Sequence, residues 1–214
     1  MRVVLDNLSD YGTGMSITVA LTLTSFAAAL VIGTVVAAFR VSPVAPLRAA
    51  GAAWVEVLRN IPLSVLMLGF YFGFTKIDIR YGEFATAVIV LSAYTSSFVA
   101  ETVRAGINSV ARGQAEAARS IGLTFPQSLR VVVLPQAMRT VVAPLGSVFI
   151  ALIKNSSLAG LIAVVELTDM ADRISFDTAR PIPAFLGAAV GYLLLALPSG
   201  AVVGLLERRA AIKR

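Results

Sequence analysis

Five long apolar runs divide the 214-residue chain, and each is long enough to cross a bilayer as a helix. The first run, residues 11–39, contains no charged residue. The other runs are residues 49–75, 84–100, 140–165 and 181–206. Only 14% of all residues are charged, against about 25% in soluble domains. We therefore predict an all-α polytopic membrane protein whose five transmembrane helices form a single domain over residues 1–214.

The residue inventory excludes several kinds of active site, because the chain contains no histidine and no cysteine. Zinc sites built on those ligands, Ser-His-Asp and Cys-His systems, and disulfides are therefore impossible. None of the lysines at 76, 154 and 213 follows a glycine, so the Gly-Lys pair of a phosphate-binding P-loop is missing. We predict that the chain is not an enzyme and holds no metal or cofactor of its own.

Basic residues are distributed unevenly between the connections that join the apolar runs. Eleven lysines and arginines lie in the first loop, in residues 101–139 and in the C-terminal tail, whereas five lie in the remaining connections. Because positive flanks stay in the cytoplasm, we predict an N-terminus outside and a cytoplasmic C-terminus. The net charge of +6 then indicates anchoring to the bilayer surface rather than a nucleic-acid partner.

The longest polar connection, about residues 108–136, has the pattern of two short cytoplasmic helices. Residues 113–122 are rich in Ala, Gln, Glu and Arg, which favour helix, and Gly122 is expected to end that helix. A second helix is expected to begin at Thr124, where Gln127 completes a capping box, and to end before Pro135. We expect both to lie parallel to the bilayer, joined by a right-angled turn.

This connection also carries a family motif. The order Glu116-Ala117-Ala118, three residues, Gly122, nine residues and Val132-Val133-Leu134-Pro135 resembles the EAA loop of ATP-binding-cassette (ABC) importer permeases. Val132 is a departure, since isoleucine is usual there. Residues 54–62, 98–107, 153–158 and 166–168 are similar to the polar amino-acid branch of these permeases, and most closely to the actinobacterial glutamate permease type.

The resemblance implies a type I importer permease that moves polar amino acids inward across a bacterial cytoplasmic membrane by alternating access, with glutamate as the leading substrate. Its partners would be two ATPase subunits that bind ATP, a second permease chain, identical or related, and an extracytoplasmic substrate-binding protein. The residues implied to couple the chain to the ATPase are Gln114, Glu116, Ala117, Ala118, Arg119, Gly122, Leu134 and Pro135.

A second group of polar residues lies within the apolar runs. Lys154 is placed deep in the fourth run, where an ionisable group is costly, and Asn155, Ser156 and Ser157 could cap a fresh half-helix whose amides favour an anion. Lys154 either lines a substrate path or snorkels to the outer interface, and the sequence leaves both open.

The second and third runs contain further charged groups. Glu56 with Arg59, and Glu101 with Arg104, are spaced to neutralise each other on one helix face. The sequence Asn60-Ile61-Pro62 predicts a break in the second helix, because proline removes a backbone hydrogen bond. The predicted substrate-path residues are Arg59, Asn60, Pro62, Lys154, Asn155, Ser156 and Ser157.

Two further patterns can be explained without a specific role. Gly-x-x-x-Gly pairs at 69/73, 187/191 and 200/204 favour close helix packing or arise by chance. The outer acidic residues Glu166, Asp169 and Asp172 form a solvated loop or contact a binding protein. Rival functions are an ion channel or secondary transporter without an ATPase partner, and a membrane enzyme that uses Asp169 and Asp172.

Overall fold

The computed structural model describes residues 2–78 and 81–210. Within these ranges every regular element is helical, as predicted. The elements are α1 (Arg2–Asp6), α2 (Leu8–Val41), α3 (Ala45–Asn60), α4 (Leu63–Lys76), α5 (Glu83–Ser109), α6 (Arg112–Ser120), α7 (Phe125–Ser128), a π-helical turn (Leu129–Val133), α8 (Leu134–Asn155), a 3₁₀ helix (Ser156–Ile162), α9 (Leu167–Thr178) and α10 (Pro181–Ala210). Arg80, Lys213 and Arg214, which the predicted orientation uses, lie outside the described residues.

Five membrane crossings account for the long apolar helices when α3 and α4 are counted together. Four are single apolar stretches: Leu8–Val41, Glu83–Ser109, Arg130–Ile162 and Pro181–Arg209. The fifth is the pair α3 and α4, which meet at 100°. The break predicted at Asn60-Ile61-Pro62 is confirmed, because α3 ends at Asn60 and α4 begins at Leu63.

The main helix contact joins α2 and α5. A methyl group added at Gly33 would lie 2.6 Å from Val99 Cβ and 2.7 Å from the Ser96 carbonyl oxygen, so the two backbones pass very close. Near this contact the Ser92 hydroxyl donates to the Ser25 carbonyl oxygen at 3.2 Å. Small residues permit such packing in lipid, where burying apolar surface provides little driving force between helices.

The three Gly-x-x-x-Gly pairs have different surroundings. Gly187 lies against the Tyr11 ring and Gly191 against Leu167, so this pair supports close packing. Added methyl groups at Gly69, Gly73 and Gly204 would meet no described atom within 4 Å. Within the chain, close packing is therefore confirmed for one of the three pairs.

The second short helix does not end before Pro135, and this prediction is wrong. The chain continues from α7 through the π-helical turn directly into α8, so the second helix leads into a membrane span instead of lying apart from it. In a regular α-helix the ring of Pro135 would clash with the carbonyl of Val131, four residues earlier. We attribute the relief of this clash to the wider π-helical turn, which contains Val131. The Gln136 side-chain amide donates to the Val132 carbonyl oxygen at 3.0 Å, which satisfies another acceptor of this turn.

Gly33→Ala tests the α2–α5 contact. We expect it to lower the free energy of unfolding by about 1–3 kcal/mol, because the new methyl group meets backbone as well as side-chain atoms. Gly69→Ala is the matched control, since its methyl group has free space. Thermal unfolding of both purified variants checks this, and equal midpoints would contradict the packing role of Gly33.

Candidate functional site

The polar segment between α5 and α8 presents α6 as a short helix with a defined end. Gly122 has φ +90°, and its N–H donates to the Arg119 carbonyl oxygen at 3.0 Å. The Leu123 N–H donates to the Ala118 carbonyl oxygen at 3.2 Å. This pair of bonds is a Schellman motif, which requires a residue that tolerates positive φ. The predicted stop at Gly122 is confirmed.

The start of the next helix also agrees with the sequence. The Thr124 backbone N–H and its hydroxyl both donate to Gln127 Oε1, each at 2.9 Å. This is the glutamine half of the predicted capping box. The turn between α6 and α7 is therefore held by local hydrogen bonds at both ends, which gives α6 a fixed attachment to the helix that becomes α8.

Most of the predicted coupling residues are accessible. Gln114, Glu116, Ala117, Arg119 and Gly122 are exposed, as are Leu134 and Pro135 at the start of α8. Ala118 differs, because it is only 4% exposed and faces the interior of the chain itself. The accessible part of α6 therefore combines charged and small side chains, while the buried Ala118 packs this helix against the rest of the chain.

A second cluster of charged groups joins α2 and α5. Glu101 accepts from Arg104 at 2.9 Å, which confirms the predicted pair, and it also forms an ion pair with Arg40 at the end of α2. Arg40 was missed by sequence reasoning because it lies 61 residues away along the chain. One carboxylate thus pairs with two guanidinium groups, and the cluster keeps a net positive charge.

Arg59 does not pair with Glu56, contrary to the prediction. Its guanidinium lies 5.1 Å from the centre of the Phe98 ring, a cation–π contact, and no ion pair to it is formed within the described residues. The Asn60 side-chain amide donates to the Glu56 carbonyl oxygen at 2.7 Å. Arg59 instead adds an aromatic contact between α3 and α5.

Two open cavities meet at Arg59 and Glu101. One, of about 460 Å³, is bounded by α3, α5 and α8, and includes Thr140 and Pro144. The other, of about 330 Å³, includes Arg40, Glu56 and Asn60. Both have the size of small-molecule sites, and their walls combine guanidinium, carboxylate and amide groups. Such walls suit a small zwitterion. Among the described residues no cluster of acidic side chains could hold a metal ion.

The segment from Lys154 to Ser157 lies elsewhere and does not form a fresh half-helix. The Ser156 hydroxyl donates back to the Ile153 carbonyl oxygen and the Ser157 hydroxyl to that of Lys154, both at 2.7 Å. The chain continues as a 3₁₀ helix, so the predicted capping role is wrong. Lys154 is exposed, Asn155 and Ser157 are half-buried, and Ser156 is buried.

The two predicted groups of path residues are therefore not in one cavity. Lys154 follows Pro144 by ten residues, which is about 15 Å along α8 at the rise of an α-helix. A substrate that passed both groups would meet them in succession.

Glu166 is a buried structural residue rather than part of a solvated loop. Its side chain is fully buried and caps α9, accepting from the backbone N–H groups of Thr168 and Asp169 at 2.9 Å each. The Tyr192 hydroxyl donates to it at 2.5 Å, which connects α9 to α10. Glutamate is not among the preferred N-cap residues, so the sequence offered little signal for this role.

The other two members of this acidic set differ in exposure. Asp169 is half-buried and pairs with Arg173 at 2.6 Å, whereas Asp172 is exposed.

Glu101→Gln is expected to lower the thermal stability of the protein, because two arginines lose their carboxylate partner. The loss should be about 1–3 kcal/mol, less than for a fully buried pair, since the Glu101 side chain is 23% exposed. Glu56→Gln is the matched control, because no ion pair to Glu56 is formed in the described part of the chain. Thermal unfolding of the two variants measures the difference. An equal midpoint would show that the cluster adds no stability.

Glu166→Gln is expected to change how stability depends on pH. Burial raises the pKa of the Glu166 carboxyl, although hydrogen bonds from Thr168, Tyr192 and Asp169 oppose the shift. The unfolded chain therefore loses this proton first, and the wild-type protein loses stability as the pH rises above about 4.3, the ordinary glutamate pKa. Because glutamine cannot ionise, the variant should not show this loss of stability with rising pH. Unfolding midpoints from about pH 4 to pH 8 test this; parallel curves would contradict it.

Comparison with known proteins agrees with the geometry. Residues 29–212 match the family model described as "Binding-protein-dependent transport system inner membrane component". The chain is 40% identical over 209 residues to the "Probable glutamine ABC transporter permease protein GlnM" of Bacillus subtilis (strain 168), covering 98% of this chain and 97% of that protein. It is 37% identical over 211 residues to the "Glutamate transport system permease protein GluC" of Corynebacterium glutamicum, covering 92% of each.

Solved structures give the same result for the fold. A crystal structure of an amino acid ABC transporter with histidines matches with a TM-score of 0.92 and 31% identity over 96% of each chain. The MetNI methionine ABC transporter, in an inward-facing conformation, matches with a TM-score of 0.83 at 21% identity over 97% of this chain and 99% of that one, which supports the fold alone. The chain thus belongs to the inner membrane components of binding-protein-dependent transport systems, and it is an amino-acid ABC transporter permease.

Proposed function

We propose that this permease couples the inward movement of a polar amino acid, glutamate by preference, to the ATP cycle of a partner ATPase that docks on α6. The observation that carries the proposal is the exposed, charged and small-residue surface of α6. The Schellman motif and the capping contact at Thr124 attach α6 firmly to α7, which continues through the π-helical turn into α8. The family membership favours this function over an ion channel, a secondary transporter or a membrane enzyme.

The proposed mechanism is alternating access. ATP is bound by two copies of the partner ATPase, and this chain contributes no catalysis and binds no cofactor. Closure of the ATPases would move α6, and the continuous path through α7 and the π-helical turn would transmit that motion to α8. The outward and inward states must differ in their contacts for the motion to do work, and the docking surface on α6 supplies such a difference.

The proposed assembly contains a second permease chain, identical or related. The cavities at Arg59 and Glu101 are open on the surface of one chain, so a facing permease would complete the enclosure. In the proposed orientation the N-terminus faces outside, where an extracytoplasmic substrate-binding protein would dock, and α6 and the C-terminus lie in the cytoplasm. The excess of basic residues in the loops on the α6 side supports this orientation.

Glutamate is proposed as the substrate because of the charged residues around the Arg59–Glu101 cavities and at Lys154. Arg40 and Arg59 line the cavities with Glu56 and Glu101, and Arg104 adds a third cation through its ion pair with Glu101. Lys154 adds a further exposed cation along α8. An excess of positive charge favours a dicarboxylate. The name of the Corynebacterium glutamicum relative agrees with glutamate, whereas that of the Bacillus subtilis relative favours glutamine as the second candidate.

Gly122→Asp and Glu116→Lys test the coupling. The first forces positive φ on a residue with a side chain, and the second reverses a charge on the exposed face of α6. We expect uptake to fall on the order of tenfold or more, and stimulation of the ATPase by substrate-loaded binding protein to be lost, at equal membrane abundance.

The controls match the chemistry of each change. Gly82→Asp adds the same side chain at a glycine with free space, and Glu207→Lys reverses an exposed charge on α10. Wild-type coupling in both α6 variants, or no ATPase bound to the purified wild-type permease, would refute the proposal.

Lys154→Ala tests the substrate path and the substrate together. If Lys154 meets the side-chain carboxylate, the initial uptake rate of glutamate should fall several-fold more than that of glutamine, because the amide carries no charge. Lys76→Ala is the control, as an exposed lysine at the end of α4. Equal rates for wild type and Lys154→Ala would instead indicate a snorkelling side chain. A wild-type preference for glutamine over glutamate would refute the substrate assignment.

A further inference from the structure

An apolar groove runs between α2, α8 and α10, away from the charged cavities. Its volume is about 540 Å³, and its walls include Phe26, Leu30, Val142, Phe149, Val202 and Leu206. Ser199 is the single polar residue that lines it, and its hydroxyl already donates to the Leu195 carbonyl oxygen at 2.7 Å. The side chains of these walls therefore offer a polar ligand no free hydrogen-bond donor and only the Ser199 oxygen as an acceptor, whereas a hydrocarbon chain has no hydrogen bonds to lose there.

One end of the groove lies at Phe26 and Phe149, near the middle of the spans, where the two rings meet edge to face with centres 5.0 Å apart. The floor lies where α8 and α10 come close, since a methyl group at Gly146 would be 2.3 Å from Val203 Cγ1. From Val142 to Phe149 the groove extends about 10 Å along α8, within the roughly 15 Å depth of one bilayer leaflet.

The other end of the groove opens toward arginines. Arg139 precedes the lining residue Val142 by three positions, and Arg209 follows Leu206 by three, so each shares the helix face that lines the groove. Arg208 is next to Arg209. All three are exposed, and none forms an ion pair with a residue in the described ranges. An anionic group at this end would meet several unpaired positive charges.

We propose that this groove binds one acyl chain of an anionic phospholipid, whose phosphate lies against Arg139 and Arg209. The occupant is a lipid because the groove is part of the bilayer-spanning helices and is open along exposed side chains such as Val202. The headgroup is anionic because basic residues at the ends of spanning helices attract such lipids. The site is separate from Arg59, Glu101 and Lys154, so it does not depend on the transported substrate.

The experiment uses mass spectrometry to measure the phospholipid that the full-length permease retains after purification in detergent with whatever subunits co-purify. It also measures the shift in unfolding midpoint when phosphatidylglycerol or phosphatidylcholine is added. We expect wild type to retain several-fold more phosphatidylglycerol than phosphatidylcholine, and to be stabilised more by the former. Equal retention and equal stabilisation by the two lipids would overturn the proposed headgroup site.

Two kinds of variant test the two parts of the site. Val202→Trp fills the groove and should lower phosphatidylglycerol retention several-fold, whereas Val190→Trp, also 54% exposed on α10 but outside the groove, should not. The double change Arg139→Gln and Arg209→Gln should remove the preference for phosphatidylglycerol without filling the groove. Arg48→Gln, on α3, is its control.

Unchanged retention in Val202→Trp would refute the acyl-chain site. Loss of a second permease copy in Val202→Trp with unchanged lipid would identify the groove as an interface between chains instead. Because lipid is measured without transport, these outcomes are independent of whether α6 docks an ATPase.

Discussion

The close passage of α2 and α5 is the contact on which the rest of the structure depends. Gly33 lets α2 pass against Val99 and the Ser96 carbonyl, and hydroxyl groups of the same two helices, such as that of Ser92, find backbone acceptors there. Within a bilayer such contacts replace the hydrophobic effect as the source of helix association. The same pair of helices brings Arg40 to Glu101, and so neutralises a charge that would otherwise be costly at this depth.

The α2–α5 pair also positions the segment that carries the proposed coupling function. Helix α5 ends at Ser109, and α6 begins three residues later at Arg112. After α6 the chain passes through the Schellman turn into α7, the π-helical turn and α8. The helix α6 is therefore attached to the α2–α5 pair on one side and to a spanning helix on the other. Displacing α6 must strain one of these attachments or move α8, which is the physical requirement for a lever.

The surface of the chain divides into regions of different chemistry. Around Arg59 and Glu101 the walls mix charges with amide groups, whereas the groove at Val202 has hydrocarbon walls and cationic residues at one end. Between α8 and α10, Glu166 is buried and joins α9 to α10 through Tyr192. Polar residues within the same membrane domain therefore serve separate purposes: they form ion pairs between helices, line cavities and attach α9 to α10.

The sequence alone determined the features that depend on local chemistry. Apolar run length predicted the spans, Gly122 and Gln127 predicted one helix end and one helix start, Pro62 predicted the break in the second span, and the spacing around Glu116 identified the permease family. Only the tertiary structure decided which partner each charge takes, because Arg40 reaches Glu101 and Arg59 reaches Phe98 across different helices. It also decided that Pro135 continues a helix, that Ser156 and Ser157 bond backward, and that Glu166 is buried, since each outcome depends on the space that neighbouring helices leave.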